Sequence, residues 1–341
     1  MQFANYLIRR LVYSVFVMLG LSIVIFFIAR LLPGDPARLA LGPFASQEQV
    51  ENLRHLMGMD KPLHLQYWMY ITGIFKGDFG LSFQTRRNVL LDIQHYLPAT
   101  VELVSCAILW VLLLGVPLGV LAARYKDSWP DNLVRVITFV GVAVPPFVVG
   151  LILQLIFSYL LGILPTTGRL TLTVSPPPPR TGFYLIDSLF AGEFYTFLDA
   201  LKHIILPSFA VAMTGIGQIA RLTRAGMSDV ASQDYIESAR GFGIPGRLIA
   251  LKYMLRPALV PPLTIMGLTF ASELSNAFLV ETVFAWPGLA KYGIRAILRK
   301  DFNAVMGVVL VVGFAFVVIN FIVDVLAGLI DPRIRKRGGQ Q

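Results

Sequence analysis

The residues of this sequence that could do chemistry are polar side chains stranded in long apolar runs. Glu273 and Asn276 stand three residues apart in one run, Gln154 and Gln218 lie in two others, and Asn320 and Asp324 share the last. An ionisable group in lipid is costly, so each should face protein or water. For Glu273 two readings stand level: lining a path for a polar solute, or bonding a neighbouring helix. Gln154 and Gln218 read more readily as interhelical glue than as ligand contacts. Asp324, near the end of its run, is placed to pair with Arg9 or Arg10. Hydrolytic chemistry finds little footing. Ser272 and Ser275 have no histidine at their depth, because His55, His64, His95 and His203 fall in polar loops or at their edges. No His-x-x-x-His or Cys-x-x-Cys spacing offers a metal site, and the lone Cys106 cannot pair within the chain. A Gly-x-x-x-x-Gly-Lys-Ser/Thr phosphate loop is absent, so the chain shows no sign of binding ATP by that route. The expectation is no catalytic residue, no metal and no cofactor in this chain.

The elements that hold these residues are set by composition. Of 341 residues, 56% are hydrophobic and 14% charged, against about 45–50% and about 25% in a soluble domain. Uncharged runs of about twenty residues recur, the length that crosses a bilayer as a helix. The fold class is therefore all-α, a polytopic membrane protein with six transmembrane helices at about 8–30, 98–123, 133–162, 204–227, 258–282 and 304–330. Pro117 predicts a kink in the second, and Pro145-Pro146 a bend or break in the third. The parts are an N-terminal segment with the first span (1–30), an outer helical subdomain (31–97), a membrane core (98–330) and a tail (331–341). Within the subdomain, Ser46 with Gln49 reads as a capping box opening a helix over 46–57. Further helices are expected over 62–75 and 88–96. A second outer loop covers 163–203, and its Pro176–Pro179 stretch should be stiff and extended. Lys and Arg are denser on the loops assigned to the cytoplasm, which places both termini inside, although Lys291, Arg295, Arg299 and Lys300 run against the trend. The net charge of +9 fits membrane lipid and orientation; no basic stripe interleaved with aromatics points to nucleic acid.

Between the fourth and fifth spans lies a polar loop, 228–257, whose patterned stretch runs from Asp234 to Pro261. Asp234 with Glu237 reads as a reciprocal cap, and Gly241, Gly243 and Pro245 stop the helix after about two turns. A helix that short needs a surface to lie on. Tyr235, Ala239 and Phe242 make one apolar edge for it. With no phosphate loop in the chain, the expected surface is another subunit.

That stretch resembles the cytoplasmic "EAA" loop of ATP-binding-cassette importer permeases. Glu237, Ser238 and Ala239 stand in the triplet, Gly243 follows at the family spacing, and Ala258-Leu259-Val260-Pro261 looks like its close. The longer gap before that close is similar to the dipeptide, oligopeptide and nickel branch, although Pro257 stands where a polar residue is usual. Leu32-Pro33-Gly34-Asp35-Pro36, Gly58-Met59-Asp60-Lys61-Pro62, Gly77-Asp78-Phe79-Gly80-Leu81-Ser82, Glu281-Thr282-Val283-Phe284 with Trp286-Pro287-Gly288-Leu289, and Asp331-Pro332-Arg333 extend the likeness along the chain. The large first outer loop resembles that of the first, B-type permease subunit. The resemblance implies a type I importer permease fold in a bacterial inner membrane and import of short peptides or related solutes. It also implies coupling to ATPases through Asp234, Tyr235, Glu237, Ser238, Ala239, Arg240, Phe242 and Gly243. The partners it implies are a second homologous permease, two ABC ATPase subunits that bind ATP and magnesium, and a solute-binding protein. Glu273, Asn276, Gln154 and Gln218 would be path candidates. A secondary transporter or channel driven by an ion gradient is the rival reading.

Overall fold

The computed structural model describes residues 2–31, 35–42, 44–56 and 58–330. Its elements are, in order, α1 (Gln2–Leu31), α2 (Pro36–Leu41), α3 (Gln47–Leu56), α4 (Leu63–Phe75), α5 (Val89–Trp110), α6 (Val116–Arg124), α7 (Trp129–Ala143) and α8 (Pro146–Leu153). Then come α9 (Tyr184–Ala191), α10 (Phe194–Ala231), α11 (Asp234–Gly241), α12 (Gly246–Leu248), α13 (Leu255–Ala258), α14 (Val260–Val283), α15 (Leu289–Leu298) and α16 (Phe302–Ile330). Among the described residues, strand pairing is limited to one isolated bridge between Leu81 and Asn88. Among the described residues, four helical stretches are long and apolar enough to cross a membrane, and α7 with the bent-off stretch Pro146–Leu160, α8 and the π-helical turns after it, makes a fifth. Helix α14, 24 residues and about 36 Å long at 1.5 Å per residue, lies at the fifth expected span (258–282) and leaves a count of six consistent with the structure.

The prolines act where backbone chemistry demands. Ahead of Pro117, residues Val111–Gly115 widen into a π-turn, which accommodates the missing N–H without ending the helix. At Pro145-Pro146 no such relief is possible. Val144 is driven to an extended conformation (ψ 126°), as a residue before proline must be, and α7 meets the stretch Pro146–Leu160 at 108°. Two boundaries differ from expectation. The helix expected over 88–96 is not separate but opens α5, which runs through Pro98. Just beyond that proline, Trp286 Nε1 donates to the Ala99 carbonyl and Thr100 Oγ1 donates to Glu281, tying this turn to its neighbours. The fourth span starts ten residues early, at Phe194, and carries Pro207 inside it.

Contacts divide the chain into two units, one comprising residues 1–3, 99–287 and 319–341, the other 4–98 and 288–318. In the second unit, Ile25 and Ala29 of α1 pack with Phe302, Met306 and Leu310 of α16, flanked by Tyr70 and Ile74 of α4. The capping box is formed as read: Gln49 N donates to Ser46 Oγ and Ser46 N to Gln49 Oε1. Two buried carboxylates fasten the loop before α5. Asp301 accepts from Ser82 Oγ (2.5 Å) and Gln84 N (3.1 Å), while Asp92 accepts from Thr85 Oγ1 and Tyr292 Oη.

The first unit is organised around α10, whose buried residues recur on several faces. Glycines make that possible. A Cβ on Gly119 would sit 2.6 Å from the Ala220 carbonyl, on Gly217 2.8 Å from that of Thr138, and on Gly226 3.0 Å from that of Ala258. Small residues at the crossings let backbones approach where lipid offers no hydrophobic drive.

Candidate functional site

Helix α11 begins at Asp234, not after it. Its N-cap is Gln233, which makes no side-chain cap bond, so the expected Asp234–Glu237 reciprocal cap is not formed. Both acids stand instead in the first turn, where they complement the positive end of the helix dipole. The C-terminal stop is as read and has a definite form. Gly243 N donates to the Arg240 carbonyl and Ile244 N to that of Ala239, the paired bonds of a Schellman motif. That motif needs a left-handed residue after the cap, and Gly243 supplies it with φ +73° in open space.

The apolar edge differs from the expected Tyr235–Ala239–Phe242 set. Ile236 is 0% exposed and Ala239 is buried beside it, whereas Tyr235 is 48% and Phe242 86% exposed. Ile236 and Ala239, three residues apart, pack on Met227 of α10, Ile249, Ala250 and Met254 of the π-turn after α12, and Ala258 of α13. Val120 and Ala123 of α6 flank the cluster. The first surface that α11 lies on therefore belongs to its own chain. Asp234, Tyr235, Glu237, Ser238, Arg240 and Phe242 remain exposed, an outward edge of mixed charge and aromatic character. Residues 246–257 of the expected 228–257 loop are helical: α12, a π-turn over Ile249–Met254 and α13 lead into α14.

Behind α11, an ion triad joins α7 to α10. Arg224 grips the fully buried Asp131 with both arms of its fork, Nε to Oδ1 at 2.7 Å and Nη2 to Oδ2 at 2.8 Å. Arg135, one turn along α7, adds a bond of 2.6 Å, and Asp127 N donates to Oδ2 at 2.9 Å. Sequence reasoning missed this group. The Asp131–Arg135 spacing of four was visible, but Arg224 lies 93 residues on.

The polar residues within the apolar runs divide. Glu273 is fully enclosed. Its Oε2 accepts from Asn276 Nδ2 at 3.2 Å, and its Oε1 lies where a Cβ on Gly215 of α10 would come within 2.5 Å. Asn276 and Gln218 are half-buried. Gln154 Nε2 donates to the carbonyls of Thr166 (2.7 Å) and Val283 (3.3 Å), tying the turn after α8 to the end of α14. The Asp324 side chain, like Leu32-Pro33-Gly34 and the tail from Asp331, lies outside the described set. A second unforeseen cluster holds the loop before α9. Arg169 pairs with Glu102 at 2.5 Å and lies over the Tyr184 ring at 3.5 Å.

Among the described residues the chain is helical, with several helices long enough to cross a membrane and a short helix, α11, exposed along one edge between α10 and α14, the architecture of an integral membrane protein. Sequence likeness supplies the family. Residues 115–336 match the family described as binding-protein-dependent transport system inner membrane component, and residues 3–104 match its N-terminal region. The chain is 44% identical over 326 residues, 96% of each sequence, to the probable D,D-dipeptide transport system permease protein DdpB of Escherichia coli (strain K12). It is 37% identical to the dipeptide transport system permease protein DppB of Alkalihalophilus pseudofirmus (97% of this chain, 99% of the relative). It is 35% identical to the glutathione transport system permease protein GsiC of Salmonella paratyphi A (97% and 99%). The chain belongs to this family: it is a permease subunit of an ATP-binding-cassette importer, multi-pass in the inner membrane. It is non-catalytic, and ATP hydrolysis belongs to partner ATPases.

Proposed function

We propose that this subunit imports short peptides, a D,D-dipeptide foremost, and that α11 is where the ATPases drive it. The observation that carries the coupling role is the division of α11 into two edges. Ile236 and Ala239 fasten it to α6, α10 and α13, while Tyr235, Glu237, Arg240 and Phe242 face outward. A push on the outward edge is therefore delivered to α6, α10 and α13 at once. Two ATPase subunits holding ATP and magnesium supply that push, a second homologous permease completes the pore, and a solute-binding protein delivers the peptide at the opposite face. Both termini are cytoplasmic in this arrangement. The 44% identity to a D,D-dipeptide permease over nearly the whole chain supports the substrate class, with L-dipeptides and glutathione as the competing solutes.

The test is made on the assembled transporter. Phe242→Ala and Glu237→Ala remove outward contacts and are expected to lower ATPase association and peptide uptake together, with thermal stability unchanged. Gly243→Ala strains the left-handed position by about 1 kcal/mol and should lower both while also loosening α11. Native ATPase association and uptake in both alanine variants of the outward edge would sink the docking assignment. Competition of labelled D-Ala-D-Ala uptake by L-Ala-L-Ala and by glutathione ranks the solutes.

A further inference from the structure

A groove of about 490 Å³ runs between α7 and α10. Its walls change character along its length. Val134, Thr138 and Val142 from α7 and Gly217 and Ala220 from α10 line the trough, and Arg135, Arg221 and Arg224 stand at one end. From Gly217 to Arg224 the helix rises about 10 Å, a substantial part of one leaflet of a hydrocarbon core about 30 Å thick. The floor is closed by the tight approach of Gly217 to the Thr138 carbonyl.

The charge at the open end does not balance. Arg224 and Arg135 are held by Asp131, and Arg135 also reaches Asp127 at 3.1 Å. Arg221 is exposed and among the described residues has neither an ion pair nor a hydrogen bond. Two carboxylates thus face three guanidiniums, and the surplus cation sits where the apolar trough opens. Phe139, on the groove wall, and Val136, beside it on α7, are 75% and 60% exposed, as lipid-facing side chains are.

We propose that this groove binds an anionic phospholipid, its phosphate on Arg221 and one acyl chain along the trough between α7 and α10. A basic pocket between membrane helices near one leaflet surface is the setting in which acidic headgroups bind. A partner helix would fill the trough but offers nothing for Arg221 unless it brings its own acid at that depth, which is costly. Because the same rim holds the Asp131–Arg224 pair, the bound lipid braces the junction that ties α7 to α10.

The test uses the full-length chain co-purified with its partner subunits and placed in nanodiscs of phosphatidylcholine with or without phosphatidylglycerol. Native mass spectrometry then counts the lipid retained. Native protein is expected to hold phosphatidylglycerol in preference to phosphatidylcholine. Arg221→Gln should weaken its retention about fivefold, the effect of one cation at a membrane surface, and Arg221→Lys should restore most of it. Equal retention by Arg221→Gln and native protein would overturn the proposal, as would phosphatidylcholine retained as firmly as phosphatidylglycerol. Disulfide trapping of a partner-subunit helix by a cysteine introduced at Thr138 would overturn it too, by showing that protein fills the trough.

Discussion

Asp187 illustrates how single residues hold this protein outside the membrane. Burial by itself would raise its carboxyl pKa, but the N–H groups of Arg180, Thr181 and Gly182 and the Thr181 hydroxyl all donate to it, at 2.8–3.1 Å. Together they hold it below the ordinary value of 3.8. A lowered carboxyl contributes stability above its unfolded pKa and loses it as the pH falls through its folded one. Amide protection factors over residues 180–187, exchange corrected for its intrinsic pH dependence, should therefore stay constant from pH 7 to pH 5 and fall only below about pH 4. Asp187→Asn should already be poorly protected at pH 7 and show no such step, because an amide keeps one acceptor oxygen in place of two. A native loop that loosened between pH 7 and pH 5 would contradict this account. Gly243 is the complementary case: its φ of +73° in open space means that its value lies in backbone freedom, not in room for a neighbour.

At the scale of elements, α10 is the beam and the Asp131 triad is its rivet. Glycine crossings hold α6, α7 and α13 against α10 so closely that carbonyl oxygens occupy the place of a side chain. Such an arrangement moves as a block, since packed interfaces resist continuous deformation. Removing the charge of a buried acid leaves its cations uncompensated. Asp131→Asn should lower the unfolding free energy of the purified chain by about 2–4 kcal/mol, less than a fully enclosed triad would lose because Arg135 is half exposed. Arg135→Gln should cost under about 1 kcal/mol. Thermal unfolding in detergent reads both, and equal, small effects would show that Asp131 is not the centre of the junction.

The whole molecule is an importer permease driven by partner ATPases, which sets the gradient-driven reading aside. Glu273, the residue on which ion coupling would have rested, is enclosed against α10 and bonded to Asn276. The chain alone in vesicles should therefore pass no labelled dipeptide under a proton or sodium gradient. Uptake should appear only with the second permease, the ATPases, the binding protein and ATP. Gradient-driven uptake by the isolated chain, lost in Glu273→Gln, would return the secondary-transporter reading to first place.

What the sequence determined by itself was whatever depends on local chemistry. Apolar run length set the membrane-crossing helices, Pro145-Pro146 set the bend, Ser46 and Gln49 set their capping box, and the spacing from Glu237 to Gly243 marked α11. Each rests on residues a few positions apart, where backbone sterics and hydrogen-bond reach leave little choice. The tertiary structure decided which side of α11 is buried, because Ile236 is chosen over Tyr235 and Phe242 by a cluster assembled from α6, α10 and α13. It likewise decided that Arg224 meets Asp131 across 93 residues, that Arg169 meets Glu102, and that Glu273 is walled in by the bare backbone of Gly215. Those outcomes depend on how helices cross, and a periodic apolar pattern does not carry that information when nearly every face of every helix is apolar.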